Sequence, residues 1–220
     1  MSENKRIGIL GGTFNPVHHG HIELGLRIKK SFDLDRVLYV LSARPPHKEN
    51  REVGETSGRW AMLKAALSGH NGLEPSGLEI KRPGPSWTID TLAELRQTFP
   101  GSLFFFITGS DGFLTIKTWK EYRVLLQEVI FIILLRTPGQ GQKVKELLAA
   151  ESIPLETNHQ RHHSPPLSFL VNYSSPWLEL SSSAIRDKIR KGESVDDLLD
   201  NRVKIILEEK KLYESHSDPD

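Results

Sequence analysis

The sequence predicts an α/β fold, a mainly parallel sheet with helices on both faces and a small helical portion at the C-terminal end. Three observations carry this expectation. Short runs such as Leu103–Ile107 and Val129–Leu135 are continuously apolar rather than alternating, as in strands buried on both faces. Between such runs lie longer stretches with apolar residues at helical spacing. The two kinds of segment alternate through most of the 220 residues, and right-handed crossovers turn that alternation into a parallel sheet.

Ile7–Leu10 is the first predicted strand. After a glycine-rich loop, the pairs Ile22/Leu26 and Leu24/Ile28 mark a helix ending near Phe32, and Val37–Leu41 is the second strand. A polar loop over 42–54 leads to a helix carrying Trp60, Leu63 and Leu67. A short strand is expected around Leu78–Ile80. Ser86 or Thr88 then caps a helix with Ile89, Leu92 and Leu95 inward, which Phe99-Pro100-Gly101 ends. Leu103–Ile107 is the next strand, Thr108–Trp119 a loop or short helix, and Glu121–Gln127 a helical turn or two. The strand Val129–Leu135 closes at Arg136-Thr137-Pro138-Gly139. Lys143–Ala150 reads as helix, 159–166 as irregular and polar, and Leu167–Val171 as strand. Ser181–Arg190 is a capped helix and Val203–Leu212 a last amphipathic one. With no internal repeat and no linker, residues 1–214 are expected to form one domain and 215–220 a frayed tail.

Composition excludes several functions. The 29 Lys+Arg against 28 Asp+Glu give a charge of +1, without the basic excess of a dedicated nucleic-acid binder. Zero cysteine removes disulfides, thiolate metal sites and thiol nucleophiles, and favours a cytoplasmic setting. No apolar run approaches the ~20 residues of a membrane-spanning helix or forms the core of a signal peptide.

Chemistry concentrates in Gly11-Gly12-Thr13-Phe14-Asn15-Pro16-Val17-His18-His19-Gly20-His21, directly after the first strand. In a parallel sheet, ligands bind beyond the carboxyl ends of the strands, and the first strand-to-helix turn offers unpaired N–H groups to phosphate. Gly11 and Gly12 let backbone approach an anion, and His18 and His21, three apart, fall on one face of a helix beginning there. The string ends in neither a Walker loop's Gly-Lys-Ser/Thr nor a dinucleotide-binding GxGxxG. A second candidate is Ser181-Ser182-Ser183 at a helix start with Arg186 one turn inside: hydroxyls, free N–H groups and a guanidinium fork suited to phosphate. Taken alone, the serines are more often a plain cap.

The first string resembles the nucleotide-binding signature of adenylyltransferases related to class I aminoacyl-tRNA synthetases, with His18-His19-Gly20-His21 as the HxGH element. Leu180–Arg186 is similar to the superfamily's second signature, Ile-Ser-Ser-Thr-x-Ile-Arg. Further segments narrow the resemblance to the nicotinate mononucleotide adenylyltransferase family: Pro45-Pro46-His47-Lys48, Pro85-Ser86-Trp87-Thr88, Gly109-Ser110-Asp111 with Trp119 and Tyr122, Arg136–Gly139, and the closing Leu212-Tyr213. Departures are few: Trp87 stands where Tyr is common, and Val203–Ile206 replaces Val-x-x-Tyr-Ile.

The resemblance implies a Rossmann-like, doubly wound fold and transfer of the adenylyl group of ATP to nicotinate mononucleotide, with release of pyrophosphate and Mg2+ bound through the ATP phosphates. It assigns ATP to Gly11, Gly12, Thr13, Phe14, His18, Gly20, His21, Gly109, Asp111, Arg136, Ser181, Ser182, Ser183 and Arg186. The acceptor falls to Asn15, Lys48, Trp87, Thr88, Asp111 and Trp119. His18, His21, Lys48 and Arg186 carry the catalysis, with no metal held by protein side chains alone. For Lys48 a solvated basic loop is the plain alternative, for the tryptophans core packing, and for Asp111 an N-cap. An acceptor end of N–H groups with no nearby acid favours nicotinate over nicotinamide mononucleotide. The His-rich segment 159–163 matches no metal-ligand spacing. A nucleotide-sensing or scaffold protein with the same fold is the rival outside enzymology. Monomer and homo-oligomer are both compatible with the sequence, and neither a nucleic-acid nor a membrane partner is expected.

Overall fold

In the computed structural model, residues 5–45, 54–135, 139–157, 164–177 and 180–213 are described. In chain order the elements are β1 (Arg6–Gly12), α1 (His19–Ser31), β2 (Arg36–Leu41), α2 (Thr56–Leu67), β3 (Leu73–Ser76), α3 (Leu78–Lys81), α4 (Thr88–Thr98), β4 (Leu103–Gly109) and α5 (Ser110–Phe113). A 3-10 turn at Ile116–Thr118 follows, then α6 (Tyr122–Glu128), β5 (Ile130–Leu135), α7 (Gln140–Ala150), β6 (Leu155–Glu156), β7 (Leu167–Asn172), α8 (Ser182–Arg190) and α9 (Asn201–Glu209). The strands form one seven-stranded sheet in the order β3-β2-β1-β4-β5-β7-β6, every pair parallel. This is the Rossmann-like α/β arrangement expected.

Because successive side chains in a strand point to opposite faces, the central strands feed two apolar layers. Val37, Tyr39, Leu41, Phe105, Ile107, Ile130 and Ile132 pack on one face against α1, α2, α8 and α9. Leu38, Val40, Phe104, Phe106, Phe131 and Ile133 pack on the other against α4, α6 and α7. The C-terminal helices therefore close the same face as α1.

Helix α1 buries Ile22, Leu24 and Ile28, each worth about 1.5–3 kcal/mol, and ends in Lys29 and Lys30, whose charges suit a helix C-terminus. Gly25 is required within it. A Cβ there would lie 1.9 Å from the Tyr39 hydroxyl, which donates to the His21 carbonyl at 2.8 Å and ties β2 to the first turn of α1.

Two expectations change. Leu78–Ile80 is the helical turn α3 rather than a strand, and the strand lies earlier, at Leu73–Ser76. β3 is an edge strand, the one place where Pro75, lacking an N–H, is tolerated. The two-residue β6 was not foreseen, and α7 starts at Gln140 rather than Lys143. Among the described residues no helix is long and apolar enough to cross a membrane.

Candidate active site

The chain runs outward from β1 through β2 to β3, then returns to lay β4 on the other side of β1. At this topological switch point the loops after β1 and β4 diverge, which opens a crevice at the carboxyl ends of the strands. A cavity of about 630 Å³ occupies it, within the range of small-molecule sites.

One wall comes from the turn after β1 and the start of α1: Gly11, Gly12, Thr13, Phe14, His18, Gly20 and His21 all line the cavity. His18 is the N-cap residue of α1 and His21 its third residue, and their rings lie 3.7 Å apart, as the three-residue spacing predicted. His21 Nδ1 accepts the backbone N–H of His18 at 3.3 Å, which places the proton of the neutral ring on Nε2 as a donor. Phe14 packs edge-on against His21 at 5.2 Å and holds its ring angle. Gly20 is hemmed in: a Cβ there would meet both the His18 ring and Trp177 Cβ at 3.1 Å.

The opposing wall is the N-terminus of α8. Ser181, Ser182, Ser183 and Arg186 line the cavity together. Ser181 caps the helix by accepting the Ala184 N–H at 3.2 Å, and Ser182 donates to the Pro16 carbonyl at 2.8 Å. Arg186 donates through Nη1 to the Asn15 carbonyl at 2.8 Å, while its buried Nε has no partner among the described residues. A buried guanidinium N–H beside a helix N-terminus suits a phosphate oxygen. The first turns of α1, α4 and α8 all contribute lining residues, so three helix N-termini add to the cationic character.

Arg59 supports the first wall from behind. It is 1% exposed and donates to the carbonyls of Gly54 at 2.7 Å, Ser42 at 2.8 Å, Thr13 at 2.9 Å and Ala43 at 3.3 Å. Burial lowers its pKa, and among the described residues no carboxylate bonds it.

At the far end lie Gly109, Asp111, Ser86, Thr88 and Trp119, all expected except Ser86 as a ligand contact. Trp119 is half-buried and stands edge-on to Phe106 at 5.7 Å. Glu79, Thr91, Tyr173 and Trp177 also line the cavity and were not foreseen. Trp177, four residues before Ser181, was legible by the same logic that singled out Trp119. Glu79 corrects the expectation of an acid-free acceptor end. It is buried, accepts the Thr91 hydroxyl at 2.6 Å and has Arg82 at 3.9 Å, and burial raises its pKa toward the uncharged acid.

Two expected ligand residues are placed otherwise. Asn15 is 3% exposed and does not line the cavity; its Oδ1 accepts the Gly54 N–H at 3.2 Å and the Tyr213 hydroxyl at 2.6 Å. Trp87 also does not line it, and its carbonyl accepts from Arg82 and from the Thr91 backbone N–H at the start of α4. His47, Lys48, Arg136 and the segment 159–163 lie outside the described residues. Among the described residues no group of three or more His, Asp or Glu could hold a metal ion, so a divalent cation here would rely on phosphate and water oxygens.

The cytidylyltransferase-like family model matches residues 9–188, which includes both walls. A protein of Desulfitobacterium hafniense strain Y51 named "Probable nicotinate-nucleotide adenylyltransferase" is 36% identical over 212 residues, covering 95% of this chain and 96% of the relative. A Geobacter sulfurreducens protein of the same name is 35% identical over 216 residues, covering 94% and 98%. The structure of Plasmodium falciparum nicotinic acid mononucleotide adenylyltransferase complexed with NaAD shares the fold, with a TM-score of 0.74 at 22% identity, covering 96% of this chain and 98% of that one. On the family match and these full-length relatives, the chain belongs to the nicotinate-nucleotide adenylyltransferase family.

Proposed function

We propose that this protein transfers the adenylyl group of ATP to nicotinate mononucleotide, forming nicotinate adenine dinucleotide and pyrophosphate. One observation carries this reading: Arg186 and Ser182 of α8 reach the carbonyls of Asn15 and Pro16, so the two phosphate-binding motifs meet on one cavity. The acceptor's phosphate is already nucleophilic at neutral pH and attacks the α-phosphorus in line, so no covalent intermediate on a side chain is needed. The protein's work is alignment and stabilisation of charge building on the α-phosphate and the leaving pyrophosphate. His18 and His21 act at the α- and β-phosphates, and Ser181, Ser182, Ser183 and Arg186 at the β- and γ-phosphates, joined by Lys48, with Arg136 near the adenine or its phosphates. Gly109 and Asp111 receive the ATP ribose, while Thr88 and Trp119 hold the pyridine. Mg2+ bound through the ATP phosphates would supply charge neutralisation; the cavity's helix N-termini and Arg186 fit a metal-bound triphosphate. Such a reaction on soluble nucleotides suits a cytoplasmic protein made of one nucleotidyltransferase domain.

Glu79 favours a second acceptor, nicotinamide mononucleotide, because a carboxyl oxygen, charged or uncharged, accepts an amide N–H. The test of the main reading is His21→Ala. Loss of one donor to transition-state charge lowers kcat by about 10²–10³ with the fold intact. Turnover within threefold of wild type contradicts the role given to His21.

A further inference from the structure

Tyr213 lies beyond α9 and does not line the cavity, yet it is bonded to the turn that does. Its backbone has φ +69°, a left-handed conformation that a side-chain-bearing residue keeps only where surrounding contacts hold it. The hydroxyl donates to Asn15 Oδ1 at 2.6 Å. Burial pushes its pKa up to about 12 against the opposing effect of Arg186 and Arg59, so it stays protonated and remains a donor. The same Asn15 oxygen accepts the Gly54 N–H, and Gly54 leaves no room for a side chain. A Cβ there would lie 2.8 Å from Asn15 Oδ1 and 2.9 Å from the Tyr213 ring. On its backbone side Asn15 accepts Arg186 Nη1 at 2.8 Å. One buried asparagine thus joins the end of the described chain, the β1–α1 turn and the phosphate-facing arginine.

We propose that Tyr213 is a positioning residue for adenylyl transfer. Through Asn15 it fixes the turn bearing His18 and His21 against Arg186, so that both walls face the same phosphates. This rests on the adenylyl-transfer reading above. Tyr213→Phe keeps the ring against Gly54 and removes only the donor.

The expected result is a fall in kcat/KM for ATP of about three- to tenfold, the size of one net hydrogen bond, with KM for nicotinate mononucleotide within twofold. A role confined to stability would instead lower the melting temperature and leave the kinetics of folded enzyme unchanged. In an Asn15→Ala background, Tyr213→Phe should have less than a twofold further effect, since its route is then gone. Calorimetric Kd values for ATP with Mg2+, wild type against Tyr213→Phe, should differ by the same factor whether or not turnover occurs. If wild type binds ATP but turns over neither acceptor, the transfer reading fails separately. ATP kinetics and affinity of Tyr213→Phe within twofold of wild type overturn the proposal, as does an undiminished effect in the Asn15→Ala background.

Discussion

Arg59→Met deletes the guanidinium beneath the cavity and keeps most of the aliphatic stem. Three of its carbonyl partners, on Gly54, Ser42 and Thr13, lie at 2.7, 2.8 and 2.9 Å. At about 1 kcal/mol net for each short bond, and discounting Ala43 at 3.3 Å, the substitution costs about 3 kcal/mol. For a chain of this length each kcal/mol moves Tm by about 2–4 °C, so the midpoint should fall about 6–12 °C. Urea denaturation followed by circular dichroism gives the free energy directly, with an unchanged m-value expected because the exposed area is the same. Thr13 and Ser42 line the cavity, so pyrophosphate release by still-folded variant should also slow. A loss below 1 kcal/mol would show that the carbonyls find other partners and that Arg59 does not hold the loops.

Three further outcomes follow from the geometry. Arg186→Lys cannot both reach the Asn15 carbonyl and present a second N–H to phosphate, so KM for ATP should rise at least about tenfold while the acceptor's stays within threefold. Trp177 lines the cavity with its ring 5.5 Å from that of His19; Trp177→Ala should raise KM for ATP severalfold and remove the fluorescence change on ATP binding. Asp200, the N-cap of α9, has its pKa lowered from 3.8 to about 2, chiefly by hydrogen bonds from Arg202. A depressed carboxylate adds stability above pH 3.8 that is lost as pH falls toward about 2. Asp200→Asn should therefore be less stable at neutral pH and lose less in that acid window, read by urea midpoints across pH.

Strands β1, β2, β4, β5 and β7 were legible because strands buried on both faces need near-continuous apolar runs, interrupted in β7 by Ser168, and glycine or proline marked their ends. The edge strand β3 was hidden by Pro75, while Leu-Glu-Ile in α3 imitates alternation over too few residues for period to discriminate. Both walls of the cavity were legible as well, since Gly11–His21 and Ser181–Arg186 each combine a turn or cap with donors at one-turn spacing. The residue type of Asn15 suits a ligand and a structural bond equally well, and only tertiary packing turns its amide oxygen toward Gly54 and Tyr213. Arg59 was missed although it precedes Met62, Leu63 and Ala66 at i+3, i+4 and i+7; a charged residue on that stripe reads as surface until four carbonyls are seen around it. Glu79 escaped notice for the same reason.

The most direct measurement follows pyrophosphate release by purified protein with ATP and Mg2+, offering nicotinate mononucleotide and nicotinamide mononucleotide in parallel. Turnover with the nicotinate acceptor, and a higher kcat/KM for it than for the amide, is the predicted result. Absence of pyrophosphate with both acceptors, from protein shown to be folded, would contradict adenylyl transfer.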